Sequence, residues 1–386
     1  MKIPQSFFPS STFAAGPAQG LEEVRKTTLA ETLFERRHRT PFITKELYKK
    51  TALNLKKLFK LPKDYLVLFF PGGATAAMDA VAWSLNEGSV SGLNLGAFSE
   101  LWNKKICGAL PPNIKKDFVD FDYKKPESAK KLNVKSSLVL LTPNETSTGL
   151  ALPDSLLKDV CAHKGKNTLI AWDATSCAGA RVLPSCFDVM LFAGQKAFGA
   201  PGGTCVIFLS PAAVKRALDA EHKKNIPYFL NLSRAVQKAL IFQPFNTPCN
   251  TTIWAIGKAC SYMLKHGGLK NMQKLTFNHS KTVLDYAKKS GWLTPLIEEE
   301  KYRSFTTLTL KITAPDIKDT QINKALASTK RANLIDGIEK YSSVKENSLR
   351  IGCFPFTDAK GCAQFKKLCK TLDFIYKELK NNTVKR

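Results

Sequence analysis

Three short stretches of the chain carry residue types that can act together on one small molecule. The first is Pro71-Gly72-Gly73-Ala74-Thr75, between the apolar run Leu66–Phe70 and an alanine-rich amphipathic stretch. Glycines at a strand-to-helix turn leave backbone N–H groups free, and the helix N-terminus adds partial positive charge, so a phosphate fits there. A glycine pair before a helix is also an ordinary turn, and this one matches neither a Walker A loop nor a G-x-G-x-x-G fingerprint. The second is Asp173, at the end of Leu169–Trp172 and followed by Ala174-Thr175-Ser176. A carboxylate at a strand tip faces the ligand crevice of an open α/β sheet, or else it caps a turn. The third is Gly194-Gln195-Lys196, which follows Val189–Phe192 and leads into a glycine-rich turn. Desolvation and nearby cations lower a lysine's pKa, and its neutral amine attacks aldehydes.

An anion cradle, a nucleophilic amine and a buried acid together suit pyridoxal 5'-phosphate. That cofactor needs a seat for its phosphate, a lysine for its aldehyde and an acid that keeps its ring nitrogen protonated. The protonated ring draws off the electrons left when a substrate Cα loses its proton. The freed lysine is well placed to carry that proton.

The elements that must position these residues are legible as alternating runs. Leu66–Phe70, Ser137–Leu141, Leu169–Trp172, Val189–Phe192 and Cys205–Leu209 read as fully buried strands, with helical stretches at Lys45–Phe59, Thr75–Leu85 and Leu156–Ala162. Buried strands alternating with helices predict an α/β fold with a mostly parallel sheet covered on both faces, and ligands bind at the carboxyl ends of such strands. After about residue 255 the texture changes to helices at Trp254–Leu264 and Asn278–Ser290, strands at Ser304–Ile312 and Ser348–Cys353, and a last helix around Ala359–Leu379. This predicts a large domain over 1–255 and a smaller C-terminal α+β domain over 256–386.

Composition narrows the class. With 386 residues, 44% hydrophobic, 10% aromatic and 23% charged, disorder, collagen and coiled coil drop out. No apolar run reaches the roughly 18 residues of a membrane span, and Met1–Thr12 lacks a signal-peptide core. The 10 cysteines include no C-x-x-C pair, which argues against a zinc ribbon and a disulfide scaffold, so no metal is expected. The expectation is a reduced, cytoplasmic protein with no membrane partner. Against 32 acids stand 58 Lys and Arg, a formal charge of +26. Such a charge attracts polyanions, but the lysines are dispersed, no nucleic-acid motif appears, and solvated basic faces are the simpler reading.

The residues also stand in a familiar order. The chain resembles the phosphoserine aminotransferases, class V, fold-type I pyridoxal-phosphate enzymes. The landmarks are Gly16-Pro17-Ala18, His38-Arg39, Gly72-Gly73-Ala74-Thr75, Gly96-Ala97-Phe98, Pro143-Asn144-Glu145-Thr146, Asp173, Gly194-Gln195-Lys196, Asn246-Thr247-Pro248 and Leu349-Arg350. The resemblance implies that Lys196 joins the cofactor aldehyde and Asp173 pairs with its ring nitrogen. It implies that Ala74, Thr75 and Gln195 hold the cofactor phosphate, Thr146 its phenolic oxygen, and Phe98 stacks where many members carry tryptophan. Asn246 and Thr247 would reach the other subunit's cofactor phosphate across a homodimer interface. Arg350 would clamp the substrate α-carboxylate, and His38 and Arg39 the substrate's own phosphate. The implied reaction runs between L-glutamate and 3-phosphohydroxypyruvate.

One departure concerns the substrate. A second His-Arg phosphate pair, found in many members shortly before the C-terminal arginine, is replaced by Glu339-Lys340-Tyr341-Ser342-Ser343-Val344-Lys345, where Lys340 or Lys345 is the candidate substitute. Another class V aminotransferase, acting on serine or alanine, is the alternative. It would leave Arg36-Arg37-His38-Arg39 without a task. Cysteine desulfurase fits less well, since Gln195 stands where a histidine usually precedes the lysine.

Overall fold

A computed structural model describes residues 3–28, 31, 36–223, 225–327 and 337–384. Nine short strands come first: β1 (Leu66–Pro71), β2 (Ser89–Asn94), β3 (Lys115–Asp120), β4 (Leu138–Leu141), β5 (Asn144–Glu145), β6 (Leu150–Ala151), β7 (Leu169–Asp173), β8 (Val189–Ala193) and β9 (Thr204–Leu209). Seven of them form one sheet in the order β1-β9-β8-β7-β4-β2-β3. The pairs β2–β3, β2–β4, β4–β7 and β7–β8 are parallel, and β9 alone runs antiparallel to both its neighbours. The expected mostly parallel, helix-covered sheet is the one found.

The pleat explains why these runs are apolar throughout. On β1, Leu68 and Phe70 pack with Ala77, Val81 and Leu85 of the helix Gly73–Leu85. Val67 and Phe69 face the other way, toward Leu55 and Leu58 of the helix Lys50–Phe59 and Ile253 and Ile256 of the helix Asn250–Lys265. Successive side chains on a strand point to opposite faces, so a strand covered on both has no polar side to show.

Two strands escape that pattern. β2 is interrupted by Gly92, where an added Cβ would lie 2.9 Å from the Leu140 carbonyl oxygen and 2.6 Å from Asn103 Oδ1. β3 closes the sheet edge with the sequence KKDFVD and buries none of its residues. Lysines on an edge discourage pairing with another chain. Lys115 and Lys116 open this edge strand.

Farther along, β10 (Leu293–Pro295), β11 (Thr307–Ile312) and β12 (Ser348–Gly352) form an antiparallel sheet. Its apolar face meets the helices Gly268–Ser290 and Ala363–Val384 in a core that also takes in Ile3, Phe8 and Phe13 from the N-terminus. The chain then crosses from the small sheet to the large one. Gly352 N–H donates to the Phe13 carbonyl at 2.7 Å, and Ala18 N–H donates to the Gln195 carbonyl at 2.7 Å. No helix among the described residues is long and apolar enough to cross a membrane.

Where this crossing segment lies on the loop after β8, two glycine backbones touch. A Cβ at Gly199, whose φ is +56°, would sit 2.4 Å from the Gln19 carbonyl oxygen and 2.4 Å from Gly20 Cα. Gly199→Ala is expected to destabilise the fold by about 1–3 kcal/mol, read as a lowered urea midpoint with unchanged slope. An unchanged midpoint would contradict the close approach.

Candidate active site

The sheet topology gathers the chemistry-bearing residues on one edge. Because β1, β2, β4, β7 and β8 all run the same way, the residues just past their ends meet at the carboxyl edge. Those residues are Gly72–Thr75 after β1, Gly96–Phe98 after β2, Thr146 beyond β4, Asp173 at the tip of β7 and Gln195-Lys196 after β8. The reversed β9 starts from the same edge, and the carbonyl of Gly203 just before it accepts a hydrogen bond from Gly72 N–H at 3.0 Å.

Lys196 and Asp173 are both buried, at 7% and 4% exposure. The Lys196 ammonium nitrogen donates to Thr146 Oγ1 at 2.8 Å and lies 5.4 Å from the Phe98 ring centroid. Desolvation lowers its pKa to about 8, opposed by the charge of Asp173 and reinforced by Arg350. Burial pushes the Asp173 carboxyl up, while hydrogen bonding from Thr175 and the charge of Lys196 pull it down. Thr175 N–H donates to Asp173 Oδ1 at 3.0 Å, which fixes the carboxyl plane. A buried carboxyl group of this kind is best matched by a cation in the same cleft.

A residue that sequence reasoning left without a role holds this group in place. Glu145 is fully buried, and its carboxylate accepts from Ser99 N–H at 3.0 Å, Ser99 Oγ at 3.1 Å, Ser147 N–H at 3.0 Å and Ser147 Oγ at 2.7 Å. It also accepts from Phe98 N–H at 3.4 Å. One carboxylate thus ties the loop bearing Phe98 to the loop bearing Thr146. The signal for it was the acid inside Asn144-Glu145-Thr146, next to an apolar strand. Gly96 allows the approach, since a Cβ there would lie 2.5 Å from Ser147 Oγ.

Three polar atoms around the cleft are buried without a hydrogen-bond partner: Gln195 Oε1, Asn144 Oδ1 and Arg350 Nε. Two of them belong to residues within two positions of Lys196 or Thr146. Unpaired buried polar atoms are uncommon in folded proteins, and their concentration here marks a place built to receive a polar ligand. Beside it, the helix Gly73–Leu85 presents its N-terminus, with Ala74 half-buried and Thr75 exposed. A Cβ added at Gly73 would meet nothing within 4 Å, so the space above that N-terminus is open. These features fit a phosphorylated pyridine aldehyde: open N–H groups for its phosphate, an amine of lowered pKa for its aldehyde and a buried carboxyl group for its ring nitrogen.

Arg350 reaches the group from the small sheet. It sits on β12 opposite Thr309 of β11, on the face away from the buried Leu349 and Ile351. Its charge acts on Lys196, and desolvation lowers its own pKa. Lys340 does not join it: its ammonium group donates to the Lys345 carbonyl at 3.1 Å. Among the described residues, no hydrogen bond, ion pair or ring contact joins His38, Arg39, Asn246 or Thr247 to Lys196. Arg39 and Thr247 are exposed, and His38 keeps Nε2 buried without a hydrogen-bond partner. No group of three or more His, Cys, Asp or Glu side chains among the described residues is placed to hold a metal ion.

Residues 14–331 match the family model for class-V aminotransferases. The chain belongs to the class-V aminotransferases. It is 32% identical to a putative phosphoserine aminotransferase of Mycobacterium avium, over 93% of this chain and 94% of that one. It is 30% identical to a phosphoserine aminotransferase of Corynebacterium glutamicum, over 97% and 96%. Among solved structures, a phosphoserine aminotransferase from Cytophaga hutchinsonii superposes with a TM-score of 0.82 at 27% identity, covering 95% of this chain and 98% of that one. This class-V aminotransferase uses pyridoxal 5'-phosphate, as its family does.

The lowered pKa of Lys196 has a kinetic consequence. Only the neutral amine attacks an aldehyde, so capture of pyridoxal phosphate by cofactor-free protein should quicken about tenfold per pH unit below the pKa and level off above it. The predicted midpoint is about 8, read by stopped-flow absorbance between pH 6 and 10.5. A midpoint near the ordinary lysine value of 10.5 would contradict the burial of this amine.

Proposed function

We propose that this aminotransferase moves an amino group between L-glutamate and 3-phosphohydroxypyruvate, giving O-phospho-L-serine and 2-oxoglutarate in serine biosynthesis. The observation that carries the chemistry is a buried amine of lowered pKa beside a buried carboxyl group. Support for the substrates comes from relatives named phosphoserine aminotransferase and from the basic cluster Arg36-Arg37-His38-Arg39. A substrate with two anionic ends gives both that cluster and Arg350 a task.

The roles follow from the side chains. Bound pyridoxal phosphate supplies an aldehyde and an electron-withdrawing ring. Asp173 keeps a proton on the ring nitrogen, Phe98 covers the ring and shields it from water, and Thr146 holds the phenolic oxygen. Ala74, Thr75 and Gln195 receive the phosphate. Lys196, released from the cofactor, takes the proton from the substrate Cα at Nζ and returns it, helped by a pKa close to working pH. Arg350 binds the α-carboxylate of either substrate through two parallel hydrogen bonds. Arg39, with His38, receives the phosphate or the side-chain carboxylate of glutamate.

The proposal extends to a cytoplasmic homodimer in which Asn246 and Thr247 reach the cofactor phosphate of the second copy. Exposed apolar side chains beside them support this: Tyr228 is 66% exposed, and Leu240 and Ile241 are 54% exposed each. Tyr228 is tied to this region by its ring contact with Phe245, next to Asn246, at 5.9 Å, and exposed apolar side chains gathered in one region mark an interaction surface. The same reading divides the chain into a cofactor-holding domain over 1–255 and a smaller one over 256–386. A distinct small-sheet core, which also takes in residues from 3–13, supports the division, while the helix Asn250–Lys265 and Met272, Ile297, Tyr302 and Phe356 pack with the large sheet.

A second reading, transamination of unphosphorylated serine or alanine, draws on Glu339, an acid beside Arg350 in the stretch where a second phosphate pair would stand. A panel of keto acids with and without phosphate separates the two. The predicted result is that 3-phosphohydroxypyruvate is preferred and that Arg39→Ala raises its KM about 10–100-fold, the cost of one charged hydrogen bond. Equal turnover of hydroxypyruvate or pyruvate, indifferent to Arg39→Ala, would select the second reading.

A further inference from the structure

Four groups form a row across the cleft. The Lys196 ammonium lies 5.4 Å from the Phe98 ring centroid, Phe98 lies 5.3 Å from Tyr341 at an interplanar angle of 52°, and the Arg350 guanidinium carbon lies 5.0 Å from the Tyr341 ring centroid. Tyr341 is therefore the link between the aromatic side chain beside the lysine and the arginine of the small sheet. It belongs to the stretch Glu339–Lys345, which departs from the family's pattern of charged phosphate ligands.

The backbone fixes this ring relative to Arg350. Arg350 N–H donates to the Ile338 carbonyl at 2.7 Å, and Glu339 forms an isolated bridge to Leu349. Val344 N–H donates to the Tyr341 carbonyl at 2.9 Å, closing the turn that follows. Strand β12 and the segment leading to Tyr341 thus run together, and the ring is delivered beside the arginine two residues past the bridge.

Glu339 and Glu145 act on Arg350 by charge, but no side-chain hydrogen bond among the described residues fixes its plane. Its Nε is buried without a hydrogen-bond partner, and none of the ion pairs among the described residues includes it. A guanidinium beside an aromatic face is attracted electrostatically, and a ring leaves the guanidinium edge free. A free edge is what a carboxylate needs for two parallel hydrogen bonds.

We propose that Tyr341 is a positioning residue for substrate recognition, its ring holding the Arg350 guanidinium in the orientation that accepts a substrate carboxylate. The proposal rests on the reading of Arg350 as the carboxylate clamp and deepens it. The ring does this work and the hydroxyl does not, so phenylalanine substitutes for tyrosine. The ring also meets Phe98, tilted at 52° with centroids 5.3 Å apart, so the same ring ties the carboxylate clamp to the cover over the reacting centre.

The test uses the cofactor-loaded protein and glutarate, a dicarboxylate with no amine to react, so that binding is read apart from turnover. Calorimetric titration of wild type, Tyr341→Phe, Tyr341→Leu, Arg350→Ala and the double variant Tyr341→Leu/Arg350→Ala gives the coupling between the two side chains. The expected result is a Kd within about twofold of wild type for Tyr341→Phe and raised about tenfold for Tyr341→Leu. Removing Tyr341 from the Arg350→Ala background should cost nothing further, because the two act as one unit. Thermal midpoints within a few degrees of wild type would separate positioning from a loss of fold. The proposal is overturned if Tyr341→Leu binds as wild type, if Tyr341→Phe weakens as much as Tyr341→Leu, or if the two losses simply add. Failure of wild type to turn over 3-phosphohydroxypyruvate would count against the phosphorylated substrate and would leave this binding result standing.

Discussion

Holding a lysine amine and a carboxyl group together out of water is the constraint on which the rest of the molecule depends. Each charge alone would be costly to bury, and together they stabilise one another only at a fixed spacing. A flexible loop cannot hold that spacing. Here Asp173 ends β7 and Lys196 stands just past β8, and the two strands are parallel neighbours paired through Asp173 and Leu191. The hydrogen-bond ladder of the sheet sets the separation before either side chain makes a contact. The core on both faces then keeps the ladder rigid.

Other parts of the fold act on this pair through particular contacts. Thr146 meets the lysine amine, and Glu145 beside it spends a buried carboxylate on loop geometry by binding the Ser99 and Ser147 backbone and hydroxyl groups. Gly16 passes so near that a Cβ there would lie 3.1 Å from Lys196 Cε. The N-terminal segment therefore forms a wall of the lysine's pocket while its earlier residues pack in the small-sheet core. That segment and Arg350 are how the small-sheet part of the fold reaches the lysine.

Legibility in the sequence followed chemistry and burial. Strands covered on both faces announced themselves as unbroken apolar runs, so β1, β4, β7, β8 and β9 were readable within a residue or two. β2 and β3 were not: Gly92 and two serines dilute the first, and the second is an exposed edge with lysines and aspartates. Asp173, Lys196 and the glycine turn were readable because each sits where a strand ends. Ala74 and Thr75 belonged to that turn, and the resemblance added the phosphate-holding role of Gln195; Phe98, Thr146, Arg350, His38, Arg39, Asn246 and Thr247 came from the resemblance alone. Glu145 and Tyr341 act through other side chains, and no local pattern reveals a partner that the chain meets only after folding. Glu145 binds residues 46 positions away, and Tyr341 meets Phe98 from the far end of the molecule.

The central claim is that one particular amine, among the many lysines of a strongly basic chain, is the one that meets the cofactor aldehyde. Borohydride reduction of the pyridoxal-phosphate-loaded protein, followed by peptide mass mapping, tests it most directly. The account predicts one phosphopyridoxyl adduct per chain, on Lys196, and none in Lys196→Ala. Adducts spread over the surface lysines, or a single adduct on a different residue, would contradict it.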